Sequence, residues 1–209
     1  MGETIRDSAL RVALTFDAEH PDRPLCPPDA PDRILDALDE AAVRATFFVQ
    51  GRWAEAYPER ARRIAADGHL IGHHSKYHAR LPLLHDDGLR EDVHEGAEAI
   101  LEACGVAPLP WFRCPFGAGH DDDRVLAILR ELGYRNVYWN VCPEDWEPDR
   151  TAEQVTDVAV EGSLEHGDGA VVLLHTWPGP TARAVPEILR SLRTRGAEFV
   201  TVDALEELP

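Results

Sequence analysis

Hydrophobic positions along this chain fall into two alternating patterns. Short, nearly continuous apolar runs stand at residues 10–16 (LRVALTF), 45–50 (ATFFVQ), 69–74 (HLIGHH), 111–115 (WFRCP), 136–142 (NVYWNVC), 170–176 (AVVLLHT) and 198–202 (EFVTV). Their length and their β-branched and aromatic content predict strands buried on both faces. Between them, apolar residues recur at helical spacing over 31–43, 52–68, 86–104, 121–133, 151–167 and 181–196. The second of these helices is interrupted near Pro58 and stopped by Gly68. The fourth starts on the acidic run 121–123, and Thr151 stands where the fifth needs an N-cap. Strand and helix alternate with no linker, repeat or low-complexity stretch. This predicts an α/β protein with one domain over residues 1–209, a distorted (β/α)7-type barrel of parallel strands wrapped by helices.

Polar residues gather where such a barrel keeps its chemistry. Asp17 and Glu19 follow the first strand, His74 and His78 the third, and Arg113 ends the fourth. Asp145 and Trp146 follow the fifth strand, and His175 ends the sixth. These are all C-terminal strand ends, the face on which barrel enzymes build active sites.

Two stretches carry the strongest signal. In TFDAEH (15–20), one alanine separates two carboxylates, which a strand points to the same side. Like charges held that close are costly to bury without a cation. In HHSKYH (73–78), His74 and His78 stand at i and i+4, on one face of a helical turn or tight loop. An H-x-x-x-H alone is often an ordinary exposed loop. Carboxylates at the equivalent edge of the first strand favour a metal site instead. Two imidazoles and a carboxylate leave a metal open positions, from which it polarises a carbonyl and activates a water.

Bulk properties remove other classes. With 21 basic and 38 acidic residues the formal charge is −17, which argues against nucleic acid or an anionic membrane surface as partner. No apolar run is long enough to span a membrane, and MGETIRDSAL has no signal-peptide core. Cys26, Cys104, Cys114 and Cys142 form no C-x-x-C pair. The expectation is a reduced, cytoplasmic protein.

The chain resembles the polysaccharide deacetylases, the NodB-type group called carbohydrate esterase family four. Five motifs carry the resemblance in order: TFDAEH against T-F-D-D, HHSKYH against H-[ST]-x-x-H, FRCPFG against R-x-P-[YF]-G, NVCPEDW against D-x-x-D-W, and VVLLHTW against L-x-H. The resemblance implies a metal-dependent hydrolase that removes N-acetyl groups from a sugar. Asp17 would be the general base, paired with and oriented by Arg113. His175 would be the general acid, held by Asp145. The Phe116 backbone N–H would help stabilise the oxyanion, and Trp146 and Leu173 would wall a pocket for the acetyl methyl.

Three of the five motifs depart from the family pattern. Ala18 replaces the second aspartate of the first motif, the family's metal ligand. The expectation is a division of labour, with Asp17 as base and Glu19 as third ligand beside His74 and His78. The rivals are His20 as ligand, or Asp17 moving onto the metal. Cys142 replaces the first aspartate of the fourth motif, and Thr176 and Trp177 follow the histidine of the fifth, where Trp177 either lines the cleft or packs. The metal is expected to be zinc, with cobalt, nickel and iron open. The substrate expected is an N-acetylated sugar or oligosaccharide. The alternatives are a ureide- or imide-like amide, or a non-catalytic carbohydrate-binding relative. The oligomeric state stays open. Of the other histidines, His73 is read as structural or exposed, His69 as packed or capping, and His85, His94, His120 and His166 as solvated. Cys114 is read as a packed thiol.

Overall fold

The structure is a computed structural model that describes residues 10–20, 26–205 and 208–209. The remainder of the expected 1–209 domain lies outside the described residues. The elements run β1 (Leu10–Ala18), α1 (Ala30–Glu40), β2 (Thr46–Val49), α2 (Gly51–Ala56), α3 (Pro58–Ala66), β3 (Leu70–His73), α4 (Asp86–Cys104) and β4 (Trp111–Phe112). They continue through α5 (Asp123–Glu131), β5 (Arg135–Asn136), α6 (Ala152–His166), β6 (Ala170–His175), α7 (Gly179–Thr194) and β7 (Ala197–Phe199). Every strand pairing is parallel, in the order β5-β4-β3-β2-β1-β6, with β7 against the start of β1. The result is a curled parallel sheet wrapped by helices, the distorted (β/α)7 architecture the alternation predicts.

Strand alternation sorts β1 into two faces. Val12, Leu14 and Phe16 face outward into the main core, with Ile34, Leu35 and Leu38 of α1 and Val185, Ile188 and Leu189 of α7. Ala13 faces inward, against Phe48, Val137 and Val171. The period of two therefore carries Thr15 and Asp17 up the inner face toward the mouth of the barrel. β6 repeats the arrangement with Val171, Leu173 and His175, in register with Ala13, Thr15 and Asp17. The TFDAEH stretch is thus a buried strand top rather than a solvated end, with Asp17 and Glu19 only 4% and 5% exposed.

The expected strand 136–142 is broken. β5 ends at Asn136, and the Val137 N–H still donates to the Phe112 carbonyl on β4 (2.7 Å). The Val137 and Tyr138 carbonyls then turn to the Arg113 guanidinium, at 3.2 and 3.1 Å. The chain rejoins the sheet at Val141, which bridges to Val172 of β6 and closes the curl. A buried arginine thus takes the carbonyls that a continuous ladder would have used. The expected strand 111–115 is shortened to two residues, and a 3-10 turn over Pro115–Gly117 follows. The helix expected over 31–43 stops at Glu40, because Ala42 turns through positive φ (51°). The predicted break at Pro58 is there, between α2 and α3, and Thr151 caps α6 in a reciprocal box with Gln154. No helix among the described residues is long and apolar enough to cross a membrane.

Candidate active site

A cleft of about 450 Å³ opens at the C-terminal ends of the strands. Its lining includes Asp17, Glu19, His74, His78, Phe116, Trp146, Leu173, His175 and Trp177. Arg113 and Asp145 stand behind it, each bonded to a residue of the lining. The sequence-derived set therefore converges on one place.

Glu19, His74 and His78 form the one group among the described residues with metal-ligand geometry, their ligand atoms all lying within 4.8 Å of one another. The Glu19 Oε2 faces His74 Nε2 at 3.2 Å and is in contact with His78 Nε2. His74 Nδ1 lies 2.8 Å from the Arg113 carbonyl, which can only accept, so Nδ1 carries the proton. In the neutral ring Nε2 then presents a lone pair toward two carboxylates, Glu19 and, at 3.5 Å, Asp17 Oδ2. Lone pair against carboxylate is repulsive unless a proton or a cation lies between them. A divalent metal fits that donor set, and the Arg113 carbonyl fixes the ring as outer-shell partners of ligating histidines do. Burial raises the Glu19 carboxyl, but hydrogen bonds from His74 and His78 outweigh it and hold the group well below its ordinary range. His74 is raised despite full burial, by the charges of Asp17 and Glu19. His20 is not part of that group: its backbone N–H donates to Gln50 Oε1, and its ring sits 5.8 Å from that of Tyr57.

Local backbone builds the histidine pair. Ser75 and His78 both adopt positive φ (63° and 58°), so residues 74–78 form a tight loop rather than a helical turn. The His78 N–H donates to Ser75 Oγ (2.9 Å). Asp92 of α4, buried, accepts from the N–H groups of Lys76 (3.0 Å) and Tyr77 (3.1 Å). His73 is a buried structural residue. Its Nε2–H donates to the Val93 carbonyl (2.8 Å) and its Nδ1 accepts from Ser75 (2.9 Å), and burial pushes it down to about 3.

Two further pairs face the same cleft. Arg113 Nη1 donates to Asp17 Oδ1 (2.9 Å) and to Thr15 Oγ1 (2.8 Å). His175 Nδ1 lies 2.7 Å from Asp145 Oδ1, and the His175 backbone N–H donates to Asp145 Oδ2 (2.8 Å). Thr181 Oγ1 also donates to Asp145 Oδ2 (2.5 Å). Burial works against a charged His175, but the Asp145 carboxylate, with Glu19 and Asp17 behind it, raises it to about 9. Trp146 meets the His175 ring edge-on at 5.2 Å. Phe116 sits at positive φ (57°), with its ring 4.4 Å from that of His78.

Several residues of the site lay outside the sequence-derived set. Trp139 and Gly117 also line the cleft, and Gly117 is required there: its φ is 67°, and a Cβ would lie 2.9 Å from the Tyr138 ring. Thr15 had a signal, since it shares the inner-face period with Asp17 and Glu19. Asp92 had one too, as a carboxylate on a helical stripe with Leu89, Val93 and Gly96. Thr181 had none. Among the residues read as solvated, His85 caps α4 by accepting from Gly88 N–H (2.9 Å), and His120 stacks on Tyr138 at 4.0 Å. Cys114 is packed, its thiol pushed up to about 12 by burial.

The polysaccharide deacetylase family model matches residues 5–137. A peptidoglycan-N-acetylglucosamine deacetylase of Bacillus cereus is 33% identical over 93% of this chain and 67% of its own length. A chitooligosaccharide deacetylase of Bradyrhizobium is 34% identical over 90% of this chain and 87% of its own. Among solved structures, the Bc1960 peptidoglycan N-acetylglucosamine deacetylase superposes with a TM-score of 0.80 at 32% identity, covering 94% of this chain and 88% of that one. Some relatives are much longer: the chain spans 38% of a Listeria monocytogenes peptidoglycan deacetylase.

Proposed function

The chain belongs to the polysaccharide deacetylase family, and on that premise we propose that it is a divalent-metal-dependent hydrolase removing the acetyl group from an N-acetylated sugar. One observation carries the reading: three differently equipped groups share a single cleft. They are the Glu19-His74-His78 ligand set, the Asp17 carboxylate held by Arg113, and the His175 imidazole held by Asp145. Binding alone would need neither a base nor an acid.

Glu19, His74 and His78 would hold the metal, zinc by the character of the donors. When bound, the metal would supply a Lewis acid beside the acetyl carbonyl and lower the pKa of a nearby water. Asp17 would take the proton that this water gives up as its oxygen attacks the carbonyl carbon. One Asp17 oxygen is committed to Arg113 and the other faces the ligand set, which aims the base. The C–N bond then breaks, and His175 would deliver its proton to the departing amine nitrogen. Asp145 fixes the ring by accepting a hydrogen bond from Nδ1–H, which leaves Nε2–H toward the cleft. The Phe116 backbone N–H would donate to the developing oxyanion. Leu173, Trp146 and Trp177 would hold the acetyl methyl and exclude water. The products are acetate and a free amine.

The relatives named for chitooligosaccharide and peptidoglycan support an N-acetylglucosamine-containing glycan as substrate. The test is acetate release from chito-oligosaccharides and from peptidoglycan, with small ureides and imides in parallel. Acetate from a glycan supports the reading. Turnover of the small amides alone would move the substrate class while leaving the chemistry in place. A metal-loaded protein inert on all of them would remove the hydrolase assignment.

A further inference from the structure

We infer that Trp177 is a positioning residue for the metal-ligating carboxylate: its indole N–H holds one oxygen of Glu19 so that the other is aimed at the metal. The inference rests on the metal reading of Glu19 and deepens it. Glu19 Oε1 accepts from Trp177 Nε1 at 3.3 Å, while Oε2 is the oxygen turned toward His74 and His78. Both side chains are buried, Trp177 at 8% exposure and Glu19 at 5%.

The backbone fixes the pairing. The Thr176 N–H donates to the Asp17 carbonyl (3.1 Å), which continues the β1–β6 ladder one residue past the strand end. Trp177 and Glu19 are therefore registered to each other by the sheet. The indole ring also stands beside His175, with ring centroids 5.7 Å apart and the planes tilted.

The physical need follows from the side chain. A glutamate carries one more rotatable bond than the aspartate it stands in for, and it can reach a metal through either oxygen or both. A donor on Oε1 removes that freedom, and it gives a hydrogen bond to a buried oxygen whose other polar neighbour, His175 Nε2, stands 3.8 Å away. Outer-shell partners of this kind set ligand orientation as well as charge. Two of the departures from the family's motifs, Glu19 after the first strand and Trp177 after the sixth, thus form one device.

The test is zinc affinity, read by competition with a chromophoric chelator, on the full chain and on Trp177→Phe. The melting temperature of each metal-stripped protein serves as the fold control. Loss of an outer-shell donor typically weakens metal binding about 10- to 100-fold, and Trp177→Phe is expected in that range with its metal-free melting unchanged. A second pair, Trp177→Gln and Trp177→Met, is matched in length but differs in the donor, and it decides the matter should the phenyl variant not fold. The glutamine variant is expected to bind zinc more tightly than the methionine variant. Equal zinc affinity of wild type and Trp177→Phe, or of the Gln and Met variants, overturns the inference while leaving the metal site intact. A wild-type protein that does not bind zinc removes the metal reading and this inference together.

Discussion

Arg113 and Asp17 meet at the floor of the cleft, Nη1 to Oδ1 at 2.9 Å, with the arginine 1% and the aspartate 4% exposed. The same guanidinium bonds Thr15 and the Val137 and Tyr138 carbonyls, and lies 4.1 Å over the Phe48 ring. One cation therefore joins β1 to the broken segment that closes the barrel. Arg113→Met leaves a buried carboxylate and two carbonyls without their partner. The expected cost is about 3–5 kcal/mol in urea unfolding. A loss under about 1 kcal/mol, the range of exposed ion pairs, would mean that the pair is solvated.

His175 is raised to about 9 against the effect of its own burial, chiefly by the Asp145 carboxylate. The protonated ring required of a general acid is present below that value and is lost as pH rises through it. Activity should therefore keep a basic limb in the alkaline range. Asp145→Asn removes the charge that raises the group, so the limb should move to lower pH and the rate should fall. A pH–rate profile of kcat/KM on both proteins checks this. An unmoved limb would separate the limb from His175.

Asp92 holds the loop between His74 and His78 through two backbone N–H groups, from a helix outside the cleft. Asp92→Ala leaves the buried Lys76 N–H without its partner, at about 1–3 kcal/mol before relaxation, while the half-buried Tyr77 N–H can turn to water. Chemical denaturation should show a loss of that order, with weakened metal binding because His78 loses its frame. A stable variant with unchanged zinc affinity would mean that the loop holds itself.

The sequence makes the inner-face residues legible because their period is simple. Asp17 on β1 and Glu19 just past its end, and Leu173 and His175 on β6, sit two apart along strands whose apolar content is unmistakable. The histidine pair is legible by spacing, but its backbone is not: positive φ at Ser75 and His78 depends on the anchor from Asp92, seventeen residues after Ser75. The break after Asn136 is hidden for the same reason, since NVYWNVC reads as a strand until Arg113 claims its carbonyls. Trp177 could be read as cleft or core from its type alone. Only the register of β6 against β1 shows its N–H directed at Glu19.

The most direct test of the division of labour in TFDAEH is metal content and acetate release on the same samples of wild type, Glu19→Ala and Asp17→Asn. The expected result is about one metal per wild-type chain, the number one three-ligand site holds. Glu19→Ala should lose the metal together with the activity, and Asp17→Asn should keep the metal and lose turnover. A Glu19→Ala protein that binds metal as wild type does, or an Asp17→Asn protein that loses it, would contradict the assignment of ligand and base.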